Sequence, residues 1–456
     1  MKPPIDKNLS AYPDAIRRRL LLGGLGLGGM AVLGISPLGT IAANESEELT
    51  FAFGPDDSGS LQALIKAFNQ QYEGRIRVRY QVMPRSTNDF YRQLVSDFEV
   101  DARRIDVFGG DMVWTAAFAS RGYVTDLTAR FNDVYSPGDF LNAPLDSAGY
   151  RNRLWGVPWF TAAGMLYYRR DLLESAGHDK PPATWDELAR MASDARDKAG
   201  TKYGFVFQGA QYEGGVASML EFLWSAGGRV LTGNLSTAAA FGMDVSSPNV
   251  IMINSADSAR GVSIARELIE SGVVPREVAN FREEDTTRAF LNGDAVFMRS
   301  WPFVYGLIDE EGSRLSADQV GIAPIPRVNP ERNSYSCLGG WNLMINARSS
   351  KQDAAWEFIR FAASAERQKQ RARDGGFLPT LEVLYDDEQL LEQVPVMTLG
   401  RRAIDDARLR PVTPYYAAMS QRLAIGFNRV LRGELTGQQA VRQLQRELQL
   451  ILDRRG

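Results

Sequence analysis

Apolar and polar residues recur in two different periods along this chain, and the two periods follow each other in a regular order. Short segments that alternate like half-buried strands are followed by longer segments with apolar residues at helical spacing. The first such elements are strand 49–53, helix 61–72, strand 76–82, helix 87–100 and strand 105–108. Repeated strand–helix units of this kind predict largely parallel sheets that are covered by helices on both faces.

The same patterns continue through the rest of the chain. Thr184 and Glu187 have the spacing of a capping box, which predicts the start of a helix that runs to about Lys198. Further predicted strands are 204–207, 295–298, 321–326 and 342–345. Further predicted helices are 285–292, 354–373, 415–431 and an amphipathic closing helix through residues 440–451.

Composition limits the classes of function. A chain of 456 residues suits two or three domains, and Lys+Arg 52 nearly balance Asp+Glu 55. This balance lacks the basic character that binding to nucleic acid requires, and a neutral ligand fits it better. His178 and Cys337 are the sole histidine and cysteine, too few for a structural zinc site or a Cys/His nucleophile system. We therefore expect no metal and no cofactor.

The N-terminus has the order of segments of an export signal. Three consecutive arginines, Arg17 to Arg19, precede an apolar, glycine-rich run from Leu20 to Ile41 and small residues at Ala42 and Ala43. Paired arginines before a weakly hydrophobic run are typical of the twin-arginine route. We favour cleavage over a retained membrane anchor, because the glycines and Pro37 lower the hydrophobicity of the run. No cysteine lies at the exit for a lipid anchor, and we expect a periplasmic protein.

Several motifs occur in the order of one known family. They are residues 53–59, 105–111, 155–173, 207–214, 299–301, 339–341 and 410–416, which together cover nearly the whole chain after the leader. The chain resembles the extracellular solute-binding proteins, and among them the sugar-binding subunits of ABC importers of the maltose/trehalose group. The resemblance implies an α/β fold of the type II periplasmic-binding-protein class. In it, each of two lobes is a mostly parallel sheet flanked by helices, and the ligand lies in the cleft between the lobes.

The resemblance also implies where the lobes begin and end. Residues 1–43 form the export signal, residues 44–160 and 302–345 the first lobe, and residues 161–301 and 346–456 the second. The strands predicted at 321–326 and 342–345 both fall in the first lobe. Hinges are expected near residues 158–162, Trp301 and Ile345.

Polar residues at the ends of predicted strands are the candidates for ligand binding. Asp111 directly follows a strand, where open α/β sheets bind their ligands, although the same carboxylate would also cap the next helix. Asp57 and Ser58 lie in the first strand-to-helix loop and are equally suited to binding and to capping. A sugar needs such groups for its hydroxyls and flat aromatic rings for its C–H faces.

The remaining candidates come from the resemblance. Glu213 matches a segment that carries a ligand-binding glutamate, and Arg410 matches an arginine that enters the cleft from the C-terminal part of the chain. Trp301 and Trp341 match cleft aromatics, and glycines 339–340 are expected to make room for a stacked ring. Phe160 in the hinge segment and Gly340 beside Trp341 complete the predicted set of ligand-binding residues. Without the resemblance each tryptophan would be assigned to the core.

One departure from the family pattern concerns specificity. Many relatives have an Asp or Asn at the position of Ala162, and this polar residue contacts the sugar. Its absence leaves trehalose, sucrose, maltose and smaller glucosides such as the osmolyte glucosylglycerol open. The alternatives are a glycoside hydrolase that uses Asp111 and Glu213, and the same fold with a polyamine or an anion as ligand. The expected partners are a sugar and the membrane subunits of an ABC importer, and the protein is expected to be a monomer and not an enzyme.

Overall fold

The computed structural model describes residues 46–100, 103–232, 250–310 and 312–453. The predicted export signal at 1–43, with its arginines and its proposed cleavage site, lies outside these residues. Within the described part of the chain, no helix has both the length and the apolar composition that crossing a bilayer requires.

The strands agree closely with the alternating segments of the sequence. They are β1 (Glu47–Phe53), β2 (Ile76–Val82), β3 (Val107–Asp111), β4 (Gly149–Tyr150), β5 (Arg153–Leu154), β6 (Val157–Ala163), β7 (Met165–Arg169), β8 (Tyr203–Val206), β9 (Ala295–Ser300), β10 (Val320–Ala323) and β11 (Leu338–Ile345).

The helices occupy the segments with helical periodicity. They are α1 (Ser60–Gln71), α2 (Thr87–Val100), α3 (Thr115–Ser120), α4 (Thr128–Asn132), α5 (Asn142–Ser147), α6 (Arg170–Ser175), α7 (Trp185–Ala199), α8 (Glu213–Ser225), α9 (Ala256–Glu270), α10 (Glu283–Leu291), α11 (Gln352–Ala362), α12 (Ala365–Gly375), α13 (Glu388–Gln393), α14 (Val396–Asp405), α15 (Tyr416–Leu431) and α16 (Gly437–Asp453). The predicted capping box is present at the start of α7: the Thr184 hydroxyl accepts from the Glu187 N–H, and the Glu187 carboxylate accepts from the Thr184 N–H.

Two sheets form the centres of two lobes. The first has the order β2-β1-β3-β11-β6, in which β1 is parallel to β2 and β3, while β11 is antiparallel to both of its neighbours. The second has the order β10-β7-β9-β8, in which β7 is antiparallel to both of its neighbours and β8 is parallel to β9. In each sheet all strands but one therefore run in the same direction, and the reversed strand lies inside the sheet.

Each sheet is covered by helices that bury aromatic residues against it. In the first lobe the ring of Phe358 from α11 lies 5.1 Å from those of Phe51 in β1 and Phe68 in α1. In the second lobe the ring of Phe222 in α8 packs between those of Phe207 and Phe427, at 5.3 and 6.2 Å. Burial of such rings is the main favourable term in folding.

The chain passes between the lobes at places where strands of different sheets follow each other directly. Gly164 joins β6 of the first sheet to β7 of the second, and Trp301 follows β9 and leads into a short 3-10 helix that packs on α12. Cys337 leads into β11, and Arg408 lies between α14 and α15. The crossing predicted near residues 158–162 falls inside β6, which belongs wholly to the first sheet, and the chain crosses just after it, at Gly164. The crossing predicted at Trp301 directly follows β9 of the second sheet.

Three predictions about lobe membership are wrong. The strand predicted at 321–326 belongs to the second sheet, since β10 pairs with β7 and not with the first sheet. Ile345 ends β11 inside the first sheet, and α11 and α12 after it pack on β11, β1 and α1, so the chain does not cross at Ile345. Only the later helices α15 and α16 pack on α8 and α9 of the second lobe. Periodicity identifies a strand but not its partner, which is why these assignments failed.

Candidate functional site

Three charged residues from distant parts of the chain meet where the two lobes face each other. Asp111 is the last residue of β3, Glu213 is the first residue of α8, and Arg410 lies in the segment that precedes α15. The Nη2 of Arg410 donates to Asp111 Oδ1 at 2.9 Å, and its Nη1 donates to Glu213 Oε1 at 2.7 Å. All three residues are buried, with 5%, 6% and 5% of their surface exposed. The guanidinium thus joins a carboxylate of one lobe to a carboxylate of the other.

Glu213 is held by more than the arginine. The hydroxyl of Tyr416 donates to its Oε1, and the hydroxyl of Ser420 donates to its Oε2. Its backbone N–H donates to Asn88 Oδ1 of α2 at 3.0 Å, which is a direct contact between the lobes. Both carboxylate oxygens of Glu213 are therefore occupied by protein groups in this arrangement.

The electrostatics of this cluster follow from one cation lying between two carboxylates. Burial raises the pKa of Asp111 to about 6, with a further increase from the charge of Glu213 and a partly compensating decrease from Arg410. Burial opposes the charge on Arg410, but the two carboxylates outweigh it and hold the pKa of Arg410 well above its ordinary value. The Nε of Arg410 is buried and has no hydrogen-bond partner among the residues that the structure describes.

Asp111 has the capping role that the sequence left open, and its role in ligand binding stays a prediction. Its Oδ1 accepts from the Val113 N–H at 3.2 Å and so caps the short 3-10 helix Met112–Trp114, while it also binds Arg410. A small cavity adjoins this point, lined among others by Met112, Thr115 and Val412. Arg410 therefore borders on a small cavity as well as on the carboxylates of both lobes.

Aromatic rings lie next to the charged cluster. Trp341 on β11 is directly opposite Asp111 on β3 and opposite Phe160 on β6, so these three residues form a row across neighbouring strands. The rings of Phe53 and Trp114 contact Trp341 at 5.0 and 5.4 Å in edge-to-face geometry. Trp341 and Phe160 are both half-buried. A flat ring with an accessible part beside a carboxylate has the composition that a sugar ring requires.

Gly339 leaves space for an aromatic ring, but this ring is that of Trp301 and not one stacked on Trp341. A Cβ on Gly339 would lie 2.9 Å from Cζ3 of Trp301, so the half-buried ring of Trp301 fills this space. Gly340 has φ +137°, and a Cβ there would lie 2.6 Å from the carbonyl oxygen of Phe160. Gly340 is thus required for the path of the backbone at an irregularity of β11.

Asp57 and Ser58 lie away from the cluster, in the loop before α1. Asp57 is exposed and pairs with Arg85 at 2.8 Å. Ser58 is exposed and donates to the carboxylate of Asp56. Asp56 itself accepts from the Leu61 N–H at 2.6 Å, so the residue that caps α1 is one that the sequence analysis did not single out.

The sequence analysis also missed the hydroxyl groups that hold Glu213. Tyr416 and Ser420 are four residues apart at the start of α15, so they lie on one face of that helix. Asn88 near the start of α2 was missed in the same way. The helical spacing of the two hydroxyls was available as a signal, but nothing in the sequence connects them with a glutamate some 200 residues earlier.

Comparison with known proteins gives a consistent result. Residues 54–369 match the bacterial extracellular solute-binding protein family. A probable ABC transporter-binding protein of Deinococcus radiodurans is 29% identical over 84% of this chain and 88% of its own length.

Solved structures extend the comparison to the fold. The maltose-bound MalE3 of T. maritima is 34% identical, with a TM-score of 0.81 over 89% of this chain and 100% of that one. A tagatose-bound solute-binding protein of Thermotoga lettingae is 23% identical, with a TM-score of 0.78 over 89% and 100% of the two chains. The fold is therefore the expected two-lobe, type II periplasmic-binding-protein fold. With its charged cluster between the lobes and a match over most of its length, this chain belongs to the bacterial extracellular solute-binding protein family.

Proposed function

We propose that this protein captures a neutral sugar in the periplasm and delivers it to the membrane subunits of an ABC importer. The observation that carries the proposal is the position of Arg410, between Asp111 of one lobe and Glu213 of the other and next to the ring of Trp341. Carboxylates accept hydrogen bonds from sugar hydroxyls, the guanidinium donates to them, and an aromatic ring stacks on the C–H face. A ligand that contacts both lobes binds the closed arrangement more tightly than the open one and so favours closure.

A disaccharide with an α-glucosyl unit is our first candidate. MalE3, which binds maltose, is similar to this chain at 34% identity over its whole length. We propose maltose, trehalose and sucrose, with Asp111, Glu213, Arg410, Trp341 and Phe160 as contacts and with Trp301 and Gly340 beside Trp341. Asp57 and Ser58, in the exposed loop before α1, are the weakest candidates. Ala162 provides no polar contact, so a smaller glucoside such as glucosylglycerol is the second candidate.

The charges of the cluster favour a neutral ligand over an ion. With both carboxylates ionised, Arg410 leaves one net negative charge, which repels an anion. The single guanidinium is already bound by two carboxylates, so an oxyanion would have to displace them. The net negative charge would attract a polyamine, but both carboxylates are already bound to Arg410, a buried cation that a polyamine would have to displace. A sugar avoids both costs because it carries no charge.

Glycoside hydrolysis is the alternative from a different class of function. It needs two carboxyl groups that are free to flank the scissile bond. Here the oxygens of Glu213 accept hydrogen bonds from Arg410, Tyr416 and Ser420, and Asp111 binds the same arginine. We therefore propose binding without hydrolysis. Incubation with a chromogenic α-glucoside is expected to release no product, and steady release that disappears in Asp111→Asn would favour the hydrolase.

The mature protein is expected to begin near Asn44, after cleavage of the leader, and to act as a monomer. Mass spectrometry of periplasmic material tests the first point, and an intact Met1 would contradict it. Light scattering of the purified protein tests the second.

A thermal-shift screen tests the proposed ligand class. The panel contains maltose, trehalose, sucrose and glucosylglycerol, with spermidine and sulfate as representatives of the other ligand classes. A sugar present at a hundred times its dissociation constant should stabilise the protein by about 2.7 kcal/mol. Calorimetry on each hit then gives the affinity. A response to spermidine or sulfate alone would overturn the proposal.

A further inference from the structure

A second buried ion pair lies behind the site, inside the second lobe. Glu221 in the middle of α8 and Arg299 near the end of β9 are 1% and 2% exposed. The Nε and Nη2 of Arg299 donate to the two carboxylate oxygens of Glu221, both at 2.7 Å. The remaining Nη1 donates to Gln208 Oε1 at 3.1 Å, and the Gln208 amide donates back to the carbonyl of Arg299. Each nitrogen of this guanidinium therefore has a partner.

Three of the four segments that join the lobes pass this pair. A Cβ on Gly164, between β6 and β7, would lie 1.9 Å from Glu221 Oε1 and 2.6 Å from Arg299 Nη2. The backbone N–H of Cys337, just before β11, donates to Glu221 Oε1 at 2.9 Å. Arg299 itself lies two residues before the crossing at Trp301. A pair that is fixed within one lobe thus touches the crossing segments on three sides.

Further contacts connect the pair with residues of the proposed site. The guanidinium of Arg299 lies over the ring of Trp301 at 4.0 Å, and this ring packs against Gly339. The segment with Cys337 pairs with Arg408: the Leu338 N–H donates to the Arg408 carbonyl, and the Arg408 N–H donates to the Ser336 carbonyl, both at 2.9 Å. Arg410 follows two residues later, so its position depends on the same segment.

The energetics of buried ion pairs indicate what this pair contributes to the protein. A buried ion pair adds little stability beyond that of apolar residues of the same size, because both ions lose their hydration. Its geometry, however, is fixed by directed hydrogen bonds, whereas apolar packing tolerates sliding. Hinges are formed by a few residues where strands end. A buried pair with fixed geometry can hold such residues in place while the segments beyond them turn.

We propose that the Glu221–Arg299 pair is the pivot of lobe closure: it anchors the crossing segments to the second lobe and positions Trp301 and the segment of Arg410. Glu221 and Arg299 are thus positioning residues that do not touch the ligand. The pair acts as a pivot in the free protein as well, and only its effect on affinity rests on the proposed sugar binding.

The experiment measures the distance between the lobes directly. Spin labels are attached at Arg92→Cys on α2 and Arg190→Cys on α7, both exposed, while the native Cys337 is buried and will not react. Glu221→Gln keeps the shape but removes the charge, and Gly164→Ala displaces the pair without changing its charges. In both variants of the full chain, the distance distribution without ligand should become clearly broader than in the parent.

Matched controls separate a pivot from a merely stabilising pair. Asp106→Asn removes one partner of the Lys351 pair in the first lobe, where the carboxylate is similarly buried, and should lower the melting temperature but leave the distribution narrow. Glu270→Gln breaks an exposed pair on α9 and should change neither. If the distribution stays narrow in both Glu221→Gln and Gly164→Ala, the pair only stabilises the core and the proposal is overturned.

Maltose serves as the probe for the second readout. Glu221→Gln should weaken maltose binding about tenfold, equivalent to about 1.4 kcal/mol. Broadened distances with unchanged maltose affinity would refute the positioning of Trp301 and Arg410. If the parent protein itself binds no sugar of the panel, the proposed function fails, while the distance measurement on the free protein still decides the pivot.

Discussion

Arg410 and Arg299 are two buried arginines, 5% and 2% exposed, that bind carboxylates in opposite ways. The partners of Arg299 all come from the second lobe, and each of its nitrogens is bonded. Arg410 binds carboxylates from both lobes, and its Nε has no hydrogen-bond partner in the described parts of the chain. Burial alone does not separate a site from a scaffold. The difference lies in where the partners come from and whether the donors are all used.

The largest expected effect comes from removing the two cations. Arg410→Met should weaken maltose binding by at least about a hundredfold, or about 2.7 kcal/mol, because the bridging donor is lost. Arg299→Met should destabilise the fold by about 3–5 kcal/mol, because it leaves Glu221 buried and unpaired, and should affect affinity less. Arg410→Met also leaves Asp111 and Glu213 without their cation and should lower stability as well. Calorimetry and urea unfolding on both variants measure the two effects. A variant Arg410→Met that binds maltose normally would remove the distinction between the two arginines.

Truncation of Trp341 comes next in size. Trp341→Ala removes a stacking surface, which commonly costs about 2 kcal/mol or roughly thirtyfold in affinity. Because the ring also contacts Phe53 and Trp114, the melting temperature should fall as well. Trp356→Ala, a buried ring on α11, is the control that should lower stability without changing affinity. Equal affinity in Trp341→Ala and the parent would show that the ring belongs to the core alone.

The pH dependence of stability distinguishes the clusters further. The pKa of Asp111 is raised to about 6 by burial and by Glu213, above its ordinary value of 3.8. The folded protein therefore binds this proton more readily than the unfolded chain, and stability decreases as the pH rises from about 4 to about 6. The slope from one such group is at most about 1.4 kcal/mol per pH unit. Urea unfolding at several pH values measures this dependence, and in Asp111→Asn the free energy of unfolding should change less between about pH 4 and about pH 6. An identical slope in the variant would show that another group causes the pH dependence.

The smallest effect is expected at Asp57. This residue is exposed and pairs with Arg85 at the surface, where ion pairs contribute little. Asp57→Asn should change maltose affinity by less than about threefold, since the acceptor it removes is screened by water. Asp111→Asn in the same calorimetric series provides the comparison. A loss at Asp57 as large as that at Asp111 would extend the binding site to the loop before α1.

The sequence was informative about elements and much less so about their partners. The strand that ends at Asp111 and the helix that begins after Thr184 follow from local patterns, and the structure contains both. The meeting of Asp111, Glu213 and Arg410 was expected only from the family resemblance. The sequence singles out the segment with Arg299 but not its pairing with Glu221, because the two residues are 78 positions apart. Local periodicity carries no record of such long-range contacts.

The place of β11 in the first sheet also constrains the order in which the protein can fold. This strand lies between β3 and β6, so β6 has no neighbour in the sheet until residues 338–345 have been synthesised. Chains that end before this point hold an incomplete first sheet with exposed strand edges, which favour aggregation. Pairing of strands so far apart in sequence slows folding, since the loop between them must close first. Because β11 follows most of the second lobe in the chain, the first lobe cannot complete its sheet until most of the second lobe has been synthesised.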